Sequence, residues 1–354
     1  MDIRLTETQR LLRDSVRDYL QKEVPFDRIR ALEENGDYDR DLWRSLQSAG
    51  YLGLPFDEER GGGGGTLSDL AVVIEEITRR AAVIPFMETL LSAVTIERFA
   101  EPALAAEVVE SVMAGSMTIS PAVGGTPCAI QSDTINGGQR FLDYGAEVTH
   151  HLVDSSENGE PALYLVESAA PGLTMQPLRN LGRTPCADAE YTAVAGRRVA
   201  GAAGRKFLIH AGRALASVQC LGNAQQALDM TTEYASMRVQ FGRPIGTFQA
   251  VQHHCADMAT MTLAARFLAY QAVWGLEDGP GDARTIAKAK AWASKTATEV
   301  PMMAHQIHGG IGFTEEYDLH FFSRHGKERA LAWGSAAECL GELADTLEEL
   351  QSWQ

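Results

Sequence analysis

The chain changes texture twice along its length, and that alternation limits what it can fold into more than any single residue does. Helical periodicity runs from Thr6 to about Ala114, with Leu11, Leu12, Val16 and Leu20 recurring at helical spacing. Thr66-Leu-Ser-Asp69 has the form of a capping box, opening a helix whose Leu70, Val73, Ile74 and Ile77 make one apolar stripe. The same pattern turns Glu75, Glu76, Arg79 and Arg80 towards solvent. Gly61 to Gly65, just before it, read as a surface loop, since a glycine run is too flexible for an element interior. Between about Ser116 and Ala200 the helical period disappears. Short β-prone runs (Met117–Ile119, Thr149–Val153, Leu163–Val166, Tyr191–Val194) are separated there by Gly, Pro, Asn and Asp clusters. From about Gly204 long helices return. Arg205 to Val239 contains no proline and places Leu208, Ala211, Leu215, Val218 and Gly222 along one face. A second helix is predicted from Thr247 to about Leu276, with Met258, Met261, Ala265 and Leu268 inward. A third spans about Asp282 to His308, with a kink at Pro301 where a backbone donor is missing. The last begins near Asp318 and ends around Glu349, with a break at Trp333-Gly334. The expectation is an α+β multidomain fold: an N-terminal helical domain (1–115), a small middle β domain (116–202) and a C-terminal four-helix bundle (203–354).

A length of 354 residues suits two or three packed domains. A formal net charge of −16 argues against nucleic acid or an anionic membrane as the main partner, since both need clustered Lys and Arg. The five cysteines (Cys128, Cys186, Cys220, Cys255, Cys339) are scattered and show no CxxC pair, which argues against a disulfide framework or structural zinc. The N-terminal stretch has no apolar signal core, and no run is long and apolar enough to span a bilayer, so the expected location is cytoplasmic. Adjacent histidines at His150-His151 and His253-His254 point apart on a strand or helix and find no completing ligand set, so no metal site is expected.

Two segments go beyond architecture: Arg238-Val-Gln-Phe241-Gly242-Arg-Pro-Ile-Gly-Thr-Phe248-Gln249 and Gln306-Ile-His308-Gly309-Gly310-Ile-Gly312-Phe313-Thr-Glu-Glu-Tyr317. Both resemble signature segments of the acyl-CoA dehydrogenase family and stand where that family has them. Leu54-Pro-Phe-Asp-Glu-Glu-Arg-Gly-Gly62 is similar to the family's N-terminal loop, and the resemblance spans the whole chain. It implies the acyl-CoA dehydrogenase fold, FAD as cofactor and α,β-dehydrogenation of an acyl-CoA thioester. By the same resemblance, Arg238, Phe241, Phe248, Gln249, Gln306, His308, Gly309 and Gly310 contact FAD, mostly that of a neighbouring subunit. Physical chemistry is consistent with those roles. A pyrophosphate needs a fixed guanidinium and close backbone approach, Phe241 offers an apolar face to a ring, and paired glycines remove Cβ obstruction. The alternative is that Arg238 is a solvated helix-end charge and the glycines merely end a helix.

Gly334 and Ser335 match family positions near the flavin, and Arg213 matches an arginine near the acyl-CoA pocket, although a structural ion pair would satisfy Arg213 equally well. The family's catalytic glutamate occupies one of two positions. Here they are Trp333 and Gly212, and neither side chain accepts a proton. Glu338 lies more than a helical turn from the first and is a weak substitute. The stretches matching the flavin-contacting loop and strand of the β domain, Ile119–Gly125 and Val148–Leu152, have lost most polar donors, leaving Thr149 as the single flavin contact there. Elements that serve a neighbour's FAD persist while those serving the chain's own have decayed. The chain resembles one subunit of the heteromeric (α2β2) bacterial acyl-CoA dehydrogenases, a tetramer in which a second subunit carries the catalytic Glu. A flavin-dependent monooxygenase on the same fold and a non-catalytic assembly subunit remain alternatives.

Overall fold

The computed structural model describes residues 4–277 and 279–351. The chain forms two compact units. One gathers the stretch up to Phe26, Ala71–Ala82 and the chain from Arg213 on; the other gathers Asp27–Leu70 and Val83–Gly212.

The N-terminal part contains α1 (Glu7–Glu23), α2 (Phe26–Asn35), α3 (Arg40–Ser48), α4 (Leu67–Arg79), α5 (Phe86–Phe99) and α6 (Pro102–Met113). A reciprocal box of Thr6 with Gln9 starts α1, which buries Val16 and Leu20, whereas Leu11 is 67% exposed. The box predicted at Thr66 is present: the Asp69 N–H donates to Thr66 Oγ1, and the Thr66 N–H donates to Asp69 Oδ2.

The glycine run is better ordered than its composition suggests. The amides of Gly62, Gly63, Gly64 and Gly65 donate to the carbonyls of Asp57, Gly53, Phe56 and Leu54. A Cβ at Gly62 would lie 2.3 Å from the Phe56 carbonyl oxygen. Gly62→Ala is therefore expected to destabilise the chain by about 1–3 kcal/mol through overpacking, read as a lower urea midpoint. Gly61→Ala is not a matched control, because φ there is +81°.

The middle part is a sheet of β1 (Ile119–Ala122), β2 (Cys128–Gln131), β3 (Thr134–Asp143), β4 (His150–Glu157), β5 (Glu160–Glu167), β6 (Leu173–Leu178), β7 (Cys186–Ala195) and β8 (Arg197–Ala200). The order is β6-β7-β3-β2-β4-β5-β8, with β1 pairing parallel to β4. Leu142, Val153, Tyr164, Tyr191 and Val194 fill one core of this sheet. The α5 helix is fastened to it through Thr89, whose Oγ1 accepts from the Ile119 N–H at 3.0 Å. Three of the predicted runs lie in β4, β5 and β7, but Met117–Ile119 only touches the start of β1.

Then follow α7 (Ala202–Met237), a two-residue hairpin of β9 (Val239–Gln240) and β10 (Arg243–Pro244), α8 (Gln249–Trp274), α9 (Ala283–His308), α10 (Leu319–Leu331) and α11 (Ala336–Gln351). The predicted break at Trp333-Gly334 separates α10 from α11, while α9 continues through Pro301 as a single helix.

One prediction needs correction. Glu75 and Glu76 do not face solvent; each is 3% exposed. Arg266 of α8 forks onto Glu75 with two bonds of 2.8 Å, and Tyr270 Oη donates to the same carboxylate at 2.8 Å. Arg17 of α1 forks onto Glu76, and Arg79 pairs with Asp229 of α7 at 2.6 Å. Arg80 lies over the Phe26 ring and donates to the Val24 carbonyl. At Gly222 of α7 a Cβ would meet the Glu75 carbonyl oxygen at 2.8 Å, so glycine lets α7 and α4 approach there.

Candidate cofactor-contact site

The C-terminal ends of α7 and α9 meet through Tyr234 in the last turn of α7 and His308, the last residue of α9. Tyr234, four residues before Arg238, stacks on His308 with centroids 4.4 Å apart. His308 is buried and its ring is fully engaged, with Nδ1 at 2.8 Å from the Ala304 carbonyl oxygen and Nε2 at 3.1 Å from Tyr317 Oη. Burial pushes its pKa down. Its role here is to lock the two segments together. The sequence pattern marked His308 and Tyr317 but gave no sign of Tyr234, whose only cue is its one-turn offset from Arg238.

Around this lock the predicted contact residues point outward. Arg238 is exposed just past the end of α7 and has no carboxylate partner among the described residues. Gln249 and Gln306 are exposed at the start of α8 and the end of α9. Phe241 and Gly242 form the tip of the hairpin with φ of +54° and +78°. Both central residues in the left-handed region fit a type I′ turn, where Asn or Gly is the usual occupant. A phenylalanine there carries backbone strain of about 1–3 kcal/mol. Its ring is also 91% exposed, and among the described residues only an edge contact with Phe248 bears on it. Phe248 supports it edge-on at 6.0 Å, and the Arg243 guanidinium lies 4.1 Å over the Phe248 ring. Met237, Val239, Ile311 and Phe313 are exposed beside these segments. Gly309 has φ of +64° and ψ of −142°, a conformation suited to glycine alone, and a Cβ at Gly309 or Gly310 would meet only open space.

The residues fit a dinucleotide. An unpaired guanidinium, an uncovered aromatic ring, two exposed amide side chains and an unobstructed Gly-Gly backbone form a donor set for phosphate and an apolar seat for a ring system.

The other predicted residues are engaged internally. The Arg213 guanidinium donates to Glu342 at 2.6 and 2.7 Å and to the Trp333 carbonyl at 3.0 Å. Trp333 has φ of +60° and Gly334 φ of +108°; a Cβ at Gly334 would lie 3.4 Å from Arg213 Nη2. Ser335 caps α11: its N–H donates to Glu338 at 2.6 Å, and the Glu338 N–H donates back to Ser335 Oγ. Those bonds from Ser335 hold the Glu338 carboxyl below its ordinary range, the wrong direction for a proton acceptor poised near neutrality. Gly212 is a buried position within α7. Thr149, in the unit that holds the sheet, exchanges hydrogen bonds with Thr118, its hydroxyl donating to the Thr118 carbonyl at 2.9 Å. Among the described residues no group of three or more His, Cys, Asp or Glu could hold a metal ion, and no helix is long and apolar enough to cross a membrane.

Comparison with known proteins identifies the family of the chain. Residues 6–116 match the acyl-CoA dehydrogenase N-terminal domain, and residues 203–347 match the acyl-CoA dehydrogenase C-terminal domain. The probable acyl-CoA dehydrogenase FadE25 of Mycobacterium tuberculosis is 31% identical over 92% of this chain and 91% of its own length. A variant of the Tcur3481-Tcur3483 steroid ACAD superposes with a TM-score of 0.93 at 30% identity, covering 98% of this chain and 99% of that one. A chain of the ChsE4-ChsE5 complex of M. tuberculosis gives a TM-score of 0.93 at 27% identity, with 99% of each chain covered. With signature segments, helix–sheet–helix order and near full-length similarity in agreement, the chain belongs to the acyl-CoA dehydrogenase family.

Proposed function

We propose that this chain is the base-lacking subunit of a heteromeric, FAD-dependent acyl-CoA dehydrogenase, contributing cofactor contacts across an interface to a partner that carries the catalytic Glu. The observation that carries this reading is the uncovered state of Arg238 and Phe241. A strained, 91% exposed phenylalanine beside an unpaired arginine is costly in a lone chain and useful only against another molecule. The absence of a carboxylate at Trp333 and Gly212, with Glu338 tied up as a helix cap, supports assigning the base to the partner. The similarity to a chain of the ChsE4-ChsE5 complex supports an unlike partner, and the similarity to a steroid ACAD supports a bulky acyl group.

In this role Arg238 donates to pyrophosphate oxygens of FAD. Phe241 covers an apolar ring face, and Gln249 and Gln306 supply amide hydrogen bonds. Gly309 and Gly310 leave room for backbone approach. The chemistry a bound FAD would supply is that of a hydride acceptor for the acyl β-carbon. The Tyr234–His308 stack keeps the two contact segments in register, and the exposed apolar side chains around them exclude water once covered.

The test is co-expression with a second acyl-CoA dehydrogenase-like chain, followed by flavin-to-chain ratio and turnover on acyl-CoA thioesters. The expected result is about one FAD per two chains in the mixed assembly, as two contact sets per cofactor require, and no turnover by this chain alone. A lone chain with full flavin content and turnover would overturn the reading.

A further inference from the structure

The chain carries 31 basic side chains, and only six of them are lysines: Lys22, Lys206, Lys288, Lys290, Lys295 and Lys327. Three of those six line one cavity, and a fourth lies behind its wall. The cavity has a volume of about 770 Å³ and lies among α8, α9, α10 and the start of α11. Its walls are apolar, built by Leu268, Ala291, Trp292, Leu331, Leu340 and Leu343. Lys288, Lys295 and Lys327 line it and are exposed, so their stems add to the wall while their ammonium groups reach the mouth. Lys290 lies behind the wall. It is fully buried, and its ammonium donates to Ser294 Oγ at 2.8 Å and to the Ala330 carbonyl at 3.0 Å. Ser294 also lines the cavity, so Lys290 polarises a hydroxyl within it.

The charges facing this cavity are of one dominant sign. Among the described residues Glu299 is its only acidic lining residue, and its contact with Lys295, at 3.9 Å between half-exposed groups, is weak. Lys288 and Lys327 have no carboxylate partner among the described residues. A cationic mouth over an apolar interior is unexpected in a chain of net charge −16. Lysine rather than arginine suits such a mouth, since a flexible stem can follow an apolar wall and place a point charge at its end.

We infer that the cavity lined by Lys288, Lys295 and Lys327 binds an amphiphile with an apolar body and an anionic head, such as a carboxylic acid of fatty or steroid type. The apolar body lies against Leu268, Trp292 and Leu340, and the head meets the lysines. A volume of about 770 Å³ falls within the range of small-molecule sites, about 300–1,000 Å³. Ser335 and Ala336 also line it, so an occupant rests on the first turn of α11, directly after the Trp333-Gly334 link that Arg213 holds. This site is separate from the Arg238 segments and shares only Ser335 with the positions that the resemblance puts near the flavin.

The test uses the purified protein, with any partner that co-purifies, and decanoate as probe in calorimetric titration against its uncharged analogue decan-1-ol. Decanoate should bind about tenfold or more tightly than decan-1-ol, as charge-assisted contacts imply. Lys288→Gln with Lys327→Gln should remove that preference while leaving the fold intact by circular dichroism. Ala337→Trp, a substitution at an exposed lining position, should abolish binding by filling the mouth. Competition by decanoyl-CoA would identify the phosphates of a CoA ester as the source of the anionic head, and its failure to compete would identify the free carboxylate. Equal binding of acid and alcohol, an unchanged preference in the lysine variant, or no binding at all would overturn the proposal. So would dissociation of an oligomer by Leu340→Glu, because the groove would then be an interface between chains.

Discussion

Arg266→Ala is expected to be among the most damaging single substitutions in the chain, costing about 3–5 kcal/mol of stability, because it strands a buried carboxylate. Glu75 is 3% exposed, and Arg266 supplies two of the three bonds to its carboxylate oxygens. Burial by itself pushes the Glu75 carboxyl up. The charge and hydrogen bonds of Arg266, the Tyr270 hydroxyl and the charge of Arg79 together outweigh burial and hold it below its ordinary range. Pairing Arg266→Met with Glu75→Gln should recover much of the loss, since a neutral amide still accepts from Tyr270 and leaves no unpaired charge. Urea midpoints of the wild type, Arg266→Ala, Arg266→Met, Glu75→Gln and the Arg266→Met/Glu75→Gln double variant decide this. A shift below about 1 kcal/mol for Arg266→Ala would refute the account, being the size of an ordinary surface pair. The pH dependence follows with a definite sign. A carboxyl depressed in the folded state contributes stability that is complete above the ordinary glutamate value of about 4.3 and is lost as pH falls through the lower folded value. Acid midpoints should therefore rise in Arg266→Ala, which lacks the group that keeps Glu75 ionised.

Arg238→Ala should do the reverse: leave stability nearly untouched and empty the cofactor. Arg238 is exposed and unpaired among the described residues, so its removal breaks no bond within the chain. A lost guanidinium–phosphate contact is worth about 1.5–3 kcal/mol, or roughly ten- to a hundredfold in affinity. The mixed assembly bearing Arg238→Ala should therefore lose flavin on gel filtration at dilute concentration, with an unchanged urea midpoint. Arg238→Lys should restore only part of the affinity, since an ammonium cannot fork onto two oxygens. Unchanged flavin retention in Arg238→Ala would remove the arginine from the cofactor site.

Local pattern was sufficient for some elements and insufficient for others, and the difference is physical. The break at Trp333-Gly334 and the box at Thr66 are local events, readable from a few neighbouring residues. The sequence pattern puts Glu75 and Glu76 outside because charge on a helix face ordinarily means solvent. The arginines that neutralise them are remote, Arg266 191 residues from Glu75 and Arg17 59 residues from Glu76. The strands β2, β3, β6 and β8 escaped prediction because they are short, polar or interrupted, as by Gly137 and Gly138 in β3. The contact site was visible as motifs, yet its integrity rests on Tyr234, which carries no motif. For Arg213 the sequence leaves a role near the acyl-CoA pocket and a structural ion pair both open, and the carboxylate it meets, Glu342, lies 129 residues away. The lysine cavity could not have been read in advance, since Lys288, Lys295 and Lys327 come together only when α9 and α10 pack.

The scarcity of lysine has a practical side. Ester reagents that acylate primary amines will find their side-chain targets chiefly around that one cavity, with Lys22 and Lys206 the only other ε-amines in the sequence. Coupling the protein to a sensor surface through its amines would hold it by the mouth of the cavity and blind the experiment, so capture through an affinity tag is the sound choice. Used deliberately, the same chemistry becomes a footprint. The rate at which Lys288 and Lys327 acquire a label, read peptide by peptide in a mass spectrometer, should fall when the cavity fills, while the label on Lys22 serves as the internal clock.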